Sequence, residues 1–145
     1  MINFIAKNFV AKNFIAGILL VVCLSTNTAT AQNNVRTPEE AAQAQLDAYN
    51  ARDIDAFIAV YSENVQVFNH PNHLRFEGRA ELRRRYGPYF ERTPDLHADV
   101  TKRMVLGDTV IDDEDGLSNG KKWRAIAIYH VVIETGEIDK VWFIQ

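Results

Sequence analysis

The densest group of side chains able to exchange a proton is the acidic run at residues 112–115. It lies at the end of a predicted strand, along which side chains alternate between two faces. If Ile111 faces an apolar interior, Asp113 shares that face, whereas Asp112 and Glu114 take the opposite, hydrated one. A carboxylate in such an interior has a raised pKa and can act as a general acid or base. Asp113 is therefore the leading catalytic candidate, and a solvated strand end without chemistry is the alternative.

Histidines offer a second source of acid and base groups. His97 and His130 fall on predicted strands and are alternative general bases, although a hydrogen-bonded structural role is the simpler interpretation for a strand histidine. His70 and His73 bracket a turn. Two histidines on an irregular loop, without a fixed third ligand, do not define a zinc site.

We expect neither a metal nor a cofactor. Counting from Gly116 places Ile111 and Lys122 at the first and twelfth positions of a calcium loop, where ligands are required. The sequence has no glycine-rich phosphate loop and no serine in a nucleophile elbow. Nucleotide-dependent chemistry and serine hydrolysis therefore have no support.

Two helices and a strand begin the domain that must hold these groups. Residues 37–40 combine a capping threonine, a proline at the first helical position and a glutamate three residues after the cap, which predicts a helix start. Asp53 caps a second, short helix. The β-branched and aromatic residues 65–69 predict a strand. A third helix begins at Arg79, with a break expected at Gly87-Pro88.

The chain after Asp95 is predicted to be antiparallel sheet. Helices first and strands later indicate an α+β domain. On one predicted strand Trp123 and Tyr129 share a face, while Ile128 and His130 share the other, and both faces are largely apolar. This strand should therefore be covered on both sides. The predicted strands are 96–106, 109–114, 122–134 and 138–145, with an irregular loop at 115–121.

The order of these elements resembles the nuclear transport factor 2-like superfamily, which includes SnoaL-like polyketide cyclases and steroid delta-isomerases. The opening likeness rests on Asn-Ala-Arg-Asp at 50–53 between two helices, followed by an acidic turn and a strand. Phe76-Glu77-Gly78-Arg79 is similar to that family's junction before the third helix, and 125–143 is similar to its closing hairpin. The resemblance covers residues 37–145. Because this fold hosts several chemistries, it does not assign a reaction.

The resemblance implies a cone-shaped, curved antiparallel sheet wrapped around the N-terminal helices. The cone would hold an apolar pocket for a small-molecule ligand, and the other sheet face commonly packs against a second subunit. We therefore expect a homodimer. Ile126, Ile128 and Val132 are the expected contributors to its interface.

The resemblance also suggests ligand-binding residues. Asn69 stands where the steroid isomerases have their base, Gln45 where they have a tyrosine and Tyr129 where they have the acidic donor of the oxyanion hole. Asn69 cannot abstract a proton, so that isomerase mechanism is not expected. The three side chains either satisfy one another at the pocket mouth or contact a ligand. Trp123 and Phe143, on the closing strands, complete the predicted ligand-binding set.

The N-terminus has the pattern of a signal peptide. Lys7 and Lys12 precede an apolar run at residues 14–24, and Ala29-Thr30-Ala31 provides a small-residue cleavage site. The apolar run is shorter than the roughly 20 residues that span a bilayer. We expect export to the periplasm or the medium. The predicted organisation is a signal peptide at 1–31, a linker at 32–36 and a SnoaL-like domain at 37–145.

Composition narrows the expected partners. Loss of Lys7 and Lys12 with the leader changes the formal net charge from −3 to −5. The single cysteine, Cys23, leaves too, so the mature domain has no thiol nucleophile and no disulfide. The basic run at 83–85 fans around a helix, where Glu81 can pair with it. We expect no nucleic-acid partner and no membrane association after leader removal.

Three functions remain open. The first is a cofactor-independent lyase, isomerase or hydrolase acting on a small apolar organic substrate. The second is a non-catalytic ligand-binding protein that uses the same pocket, and the third is a dimeric interaction module. Neither the ligand nor the reaction follows from the sequence.

Overall fold

The computed structural model describes residues 35–145, which form three helices and six strands. The expected signal peptide and residues 32–34 of the expected linker lie outside the described residues. No helix within 35–145 combines the length and apolar character needed to cross a membrane. The elements are α1 (Pro38–Ala51), α2 (Ile54–Ile58), β1 (Tyr61–Asn69), β2 (His73–Glu77), α3 (Arg79–Arg92), β3 (His97–Leu106), β4 (Thr109–Ser118), β5 (Lys121–Val132) and β6 (Glu137–Ile144).

Side-chain caps begin the first two helices, as predicted. The Thr37 hydroxyl accepts the Glu40 N–H at 3.2 Å, and the Glu40 carboxylate accepts the Thr37 N–H at 2.8 Å. This reciprocal pair satisfies two N–H groups that a helix start leaves free. Asp53 accepts the N–H groups of Asp55 and Ala56 at 3.1 and 3.0 Å and so begins α2.

The break expected at Gly87-Pro88 is wrong, because α3 continues through Pro88 to Arg92. Aromatic packing explains the continuity. The ring of Phe90 lies 5.8 Å from that of Tyr86 on its own helix and 5.3 Å from that of Phe57 on α2. Burial of these rings outweighs the lost hydrogen bond and intrinsic helix cost of one proline.

The six strands form one sheet in the order β2-β1-β6-β5-β4-β3. The expectation of a purely antiparallel sheet is wrong at one ladder, because β1 and β6 pair in parallel, with Val67 opposite Val141. The other neighbouring strands pair antiparallel. The loop expected at 115–121 is also wrong. β4 runs to Ser118 and turns through Asn119-Gly120 directly into β5.

The helices pack on one face of the curved sheet, called here the inner face. Ala42 of α1 and Phe57 of α2 are almost completely buried, as are Tyr129 and Val131 of β5. These residues belong to one apolar cluster that joins helices and sheet. It fixes which side chains of each strand point inward.

The outer face of the sheet carries a continuous apolar row that the helices do not reach. Its members lie opposite one another across all six strands, and the rings of Phe68 and Trp142 stack with centroids 5.4 Å apart. Most are half-buried, and Met104 is 63% exposed. The outer row consists of Leu74, Phe68, Trp142, Ile128, Ile111 and Met104.

Candidate active site

A cavity of about 610 Å³ lies between α1, α3 and the inner face of the sheet. Its volume falls within the range of about 300 to 1,000 Å³ typical of small-molecule sites. Aromatic side chains from both helices and from the last two strands form much of its wall. They are Tyr49, Tyr86, Tyr89, Trp123, Tyr129 and Phe143.

Glu114 is the carboxylate that lines this cavity. Its side chain projects inward from β4, and the residue is only 6% exposed. Burial raises the pKa of Glu114 to about 7, and the nearby charge of Asp112 adds to the increase. A hydrogen bond from the Tyr129 hydroxyl, at 3.1 Å, partly opposes this change. Glu114 can therefore both accept and release a proton near neutral pH.

The placement of Asp113 inside the pocket is wrong. Asp113 points to the outer face, where Arg124 donates to its two carboxylate oxygens at 3.1 and 2.7 Å. These hydrogen bonds lower the pKa of Asp113 instead of raising it. The alternation along β4 is opposite to the expected one because Ile111 belongs to the outer row. Apolar residues on both faces of this strand leave its orientation ambiguous.

One short motif contains the signal that identifies Glu114. Asn119-Gly120 is a two-residue turn, which pairs Ser118 with Lys121 and therefore Glu114 with Ala125. Ala125 shares a face with Trp123 and Tyr129, so its partner must also point inward. An irregular loop at 115–121 would not impose this pairing, so the expected loop left the inward carboxylate undetermined.

Asp112 shares the inner face with Glu114 but is held by a different partner. Arg103 donates to both oxygens of the Asp112 carboxylate, at 2.8 and 2.7 Å, and to Gln43 Oε1 at 2.9 Å. Asp112 is 1% exposed. The negative charge of Asp112 raises the pKa of Glu114 and the positive charge of Arg103 lowers it. This buried pair therefore helps to set the proton affinity of the cavity carboxylate.

Tyr129 and Gln45 adjoin Glu114 in the cavity wall. The Tyr129 hydroxyl lies within hydrogen-bonding distance of two acceptors, Glu114 Oε1 at 3.1 Å and Gln45 Oε1 at 3.3 Å. Burial raises the pKa of Tyr129 well above its ordinary value. The phenol therefore keeps its proton and acts as a hydrogen-bond donor throughout the neutral range.

The structure brings four of the predicted ligand-binding residues together at the cavity. Gln45 comes from α1, Trp123 and Tyr129 come from β5, and Phe143 comes from β6. Asn69 does not join them. It is exposed at the end of β1, so its predicted place in the pocket is wrong.

The two histidine candidates also lie away from the cavity, which makes their predicted catalytic placement wrong. His97 is exposed on β3, with Nε2 3.1 Å from Asp99 Oδ1. His130 follows Tyr129 and therefore points to the outer face. Its Nε2 lies 3.3 Å from Asp108 Oδ2, and its Nδ1 is hydrogen-bonded to Asp139. No three potential metal ligands cluster anywhere in residues 35–145.

Four arginines line the cavity, and the sequence predicted the pairing of two of them with Glu81 but the cavity position of none. Arg84 and Arg85 both bind the carboxylate of Glu81, at 2.6 and 2.7 Å. Arg75 and Arg92 have no acidic partner among the described residues. Arg75 lies 6.0 Å from the centre of the Phe143 ring, and Arg92 lies 5.8 Å from that of Tyr89. The mouth is therefore more basic than the interior.

Solved structures with the same architecture are distant in sequence. An uncharacterised cystatin-fold protein from Novosphingobium aromaticivorans superimposes with a TM-score of 0.68 at 22% identity, over 76% of this chain and 99% of that one. A SnoaL-like protein of unknown function from Burkholderia thailandensis gives 0.62 at 18%, over 74% and 92%. A computationally designed 17-OHP binder gives 0.66 at 13%, over 76% and 92%. These likenesses show the fold.

Comparison with curated proteins gives no match to this sequence. The family model described as a SnoaL-like domain, in contrast, matches residues 42–141. This match includes Gln45, Glu114 and Tyr129, and it contains the whole sheet except residues 142–144 at the end of β6. The solved structures show that its α+β fold is the one found in NTF2-like proteins, and the family match establishes that the chain belongs to the SnoaL-like domain family.

Proposed function

We propose that the protein is a cofactor-independent enzyme that moves a proton on a small, largely apolar organic substrate, with Glu114 as its acid and base. The observation that carries this proposal is the position of Glu114, buried in the cavity wall with a pKa of about 7 and hydrogen-bonded to Tyr129. A carboxyl with that pKa is divided between its two protonation states at neutral pH. General acid–base catalysis is most effective under this condition.

The residues around Glu114 orient its carboxylate and surround the substrate during proton transfer. Ionised Glu114 accepts a proton from the bound substrate, and the resulting acid returns it to another substrate atom or to a leaving group. Tyr129 donates to the resting carboxylate and orients it, while Gln45 offers the phenol a second acceptor. Aromatic walls exclude water from an apolar substrate and strengthen these interactions. Isomerisation and elimination both require only these steps.

A neutral aromatic probe tests the acid–base role. In 5-nitrobenzisoxazole, removal of the ring C–H proton by a base breaks the N–O bond and releases a coloured cyanophenolate. We expect turnover to rise with pH through about 7 as Glu114 ionises. Glu114→Gln should lower it by about 100-fold or more, since general-base catalysis contributes at least that factor. Asp113→Asn is the matched control, because the Asp113 carboxylate binds Arg124 on the outer face and does not line the cavity. This variant should retain turnover.

Equal turnover by the wild type and Glu114→Gln would contradict the assignment. The alternative is a ligand-binding protein without catalysis. The aromatic-lined cavity supports this alternative, and the designed protein with the same fold is a 17-OHP binder. Ligand binding unchanged in Glu114→Gln, with no turnover by the wild type, would favour it. A pure interaction module fits less well because the cone contains an open cavity.

We also infer that the protein forms a homodimer through the outer row. Half-buried and exposed apolar side chains cross all six strands on the face away from the helices. A contiguous apolar surface that is accessible to solvent indicates an interaction site. A two-fold axis would place the same row of a second copy against it. Sedimentation at micromolar concentration should show a dimer, and a clean monomer there would exclude this interface.

We further propose that residues 1–31 direct export and are then removed. The lysines, the short apolar run and Ala29-Thr30-Ala31 support a cleaved signal. Mass spectrometry of protein from the native host should find Gln32 at the mature N-terminus. Soluble protein in the cytoplasm that retains the leader would contradict export.

A further inference from the structure

The cavity mouth carries positive charge on a chain whose formal net charge is −3. Of the four arginines that line the cavity, Arg84 and Arg85 share the single carboxylate of Glu81, which offsets one of their two charges. Arg75 and Arg92 are not paired with any acid in the described part of the chain. Two uncompensated guanidinium groups at the entrance of one cavity indicate a negatively charged partner.

Aromatic rings place these two arginines on the cavity wall. Arg75 projects from β2 and lies beside Phe143, while Arg92 belongs to the last turn of α3 and lies beside Tyr89. Tyr89 and Arg92 are three residues apart and therefore share one helix face. A guanidinium over a ring remains charged and keeps its N–H donors available. Both guanidinium groups therefore belong to the lining of the same cavity as Glu114.

We propose that the ligand carries a carboxylate at one end of an aromatic or polycyclic body, and that Arg75 and Arg92 bind this carboxylate at the mouth. A guanidinium presents parallel N–H donors that match a carboxylate. The opposite, uncharged end then enters the apolar interior, where a second negative charge beside Glu114 would be repelled and desolvated. The inference rests on the proposed function only in that the cavity binds a small molecule. It fixes the direction in which that molecule enters.

A matched pair of probes tests the inference. 2-Naphthoate and 2-naphthamide have the same ring system and similar shape, but only the first is charged. Titration calorimetry at low salt should give about tenfold tighter binding of 2-naphthoate to the wild-type protein, in line with one or two charge-assisted hydrogen bonds. Added salt should reduce this preference because the arginines are exposed.

Substitutions of the arginines then test which residues cause the preference for 2-naphthoate over 2-naphthamide. The double variant Arg75→Gln/Arg92→Gln should bind the two probes with similar affinity and should keep the wild-type affinity for 2-naphthamide. Arg83→Gln is the control, since Arg83 lies on α3 outside the cavity lining and pairs with Asp55. That variant should keep the wild-type preference. A crystal structure with 2-naphthoate should place its carboxylate against Arg75 and Arg92.

Several outcomes would overturn the inference. They are equal affinity for the two probes, no binding of either, an undiminished preference in the double variant, or a carboxylate turned toward Glu114. The neutral 5-nitrobenzisoxazole assay reports Glu114 separately. Turnover without carboxylate preference overturns only the present inference, whereas carboxylate preference without turnover overturns only the acid–base role.

Discussion

The indole of Trp123 occupies the space that a side chain at Gly116 would need. A Cβ atom at Gly116 would lie 2.1 Å from Trp123 Cζ2 and 2.8 Å from the carbonyl oxygen of His97. The two residues are direct partners across β4 and β5. Only glycine leaves enough space for the indole at this position. Because Trp123 lines the cavity, Gly116 determines the position of one cavity wall.

We predict that Gly116→Ala displaces the indole and reshapes the cavity. Overpacking of this kind costs about 1 to 3 kcal/mol of the free energy of unfolding. Turnover of 5-nitrobenzisoxazole should fall, and the fluorescence of Trp123 should change. Gly87→Ala is the control, because the nearest atom to its added Cβ is Ile54 Cγ1 at 4.0 Å. That helical substitution should be neutral or stabilising by up to about 1 kcal/mol. Unchanged turnover and stability in Gly116→Ala would contradict the proposed steric role.

Glu114 should make the stability of the protein fall as pH rises from about 4.5 to about 7. Its pKa is raised from 4.5 to about 7 in the folded state. Between these values the folded protein holds a proton that the unfolded chain has released, so raising the pH favours unfolding. The expected loss is roughly 3 kcal/mol, and it is complete above the folded pKa.

Glu114→Gln should remove this component of the pH dependence, because the amide does not titrate. Urea unfolding of both proteins at about pH 5 and about pH 8 measures the difference. The wild type should lose more stability than the variant between the two conditions. Parallel changes in the two proteins would show that Glu114 is not protonated preferentially in the folded state.

Asp112→Asn should lower the pH at which Glu114 ionises. The substitution removes a negative charge that raises the pKa of Glu114 and frees the positive charge of Arg103, which lowers it. The midpoint of the pH–rate profile should therefore move below about 7. Breaking the buried pair should also cost roughly 3 to 5 kcal/mol of stability. Asp113→Asn, whose carboxylate faces outward, should leave the midpoint in place.

Ile128→Glu should dissociate the proposed homodimer. Ile128 lies in the middle of the outer row, between Trp142 and Ile111, and a carboxylate there would be buried without a partner in the dimer. Sedimentation of the variant should give the monomer mass. Arg83→Gln, on the helix side of the domain, should leave the association unchanged. A variant that sediments like the wild type would place the interface elsewhere.

Local sequence signals predicted the parts of the fold that depend on neighbouring residues. The Thr37–Glu40 capping box and the Asp53 cap operate within one helical turn, so their residue types are sufficient to place the helix starts. The continuation through Pro88 was not predictable in this way. It depends on packing of Phe90 against Phe57, which come from different helices.

In the candidate site, too, features set within one strand were predictable, whereas features set by contacts between segments were not. The sequence correctly predicted which β5 residues face the cavity. Trp123 and Tyr129 share one face of this strand, and Ile128 and His130 share the other. Glu114 was not predicted because β4 carries an apolar side chain on each face, Val110 inward and Ile111 outward. Only the pairing of β4 with β5 determines which carboxylate points inward. Arg75 and Arg92 come from β2 and α3, and no spacing within either segment predicts that both line one cavity.

The parallel pairing of β1 with β6 has a consequence for how the domain folds. Val67 and Val141 are 74 residues apart in sequence (141 − 67) but side by side in the sheet. Contacts between such distant residues require closure of a long chain loop and slow the search for the native state. Until β6 inserts, β1 and β5 each lack a neighbouring strand, and the wall formed by Phe143 does not exist. The binding cavity is therefore complete only after β6 has joined the sheet. Folding intermediates without β6 expose the unpaired edges of β1 and β5, which can pair with other chains and aggregate.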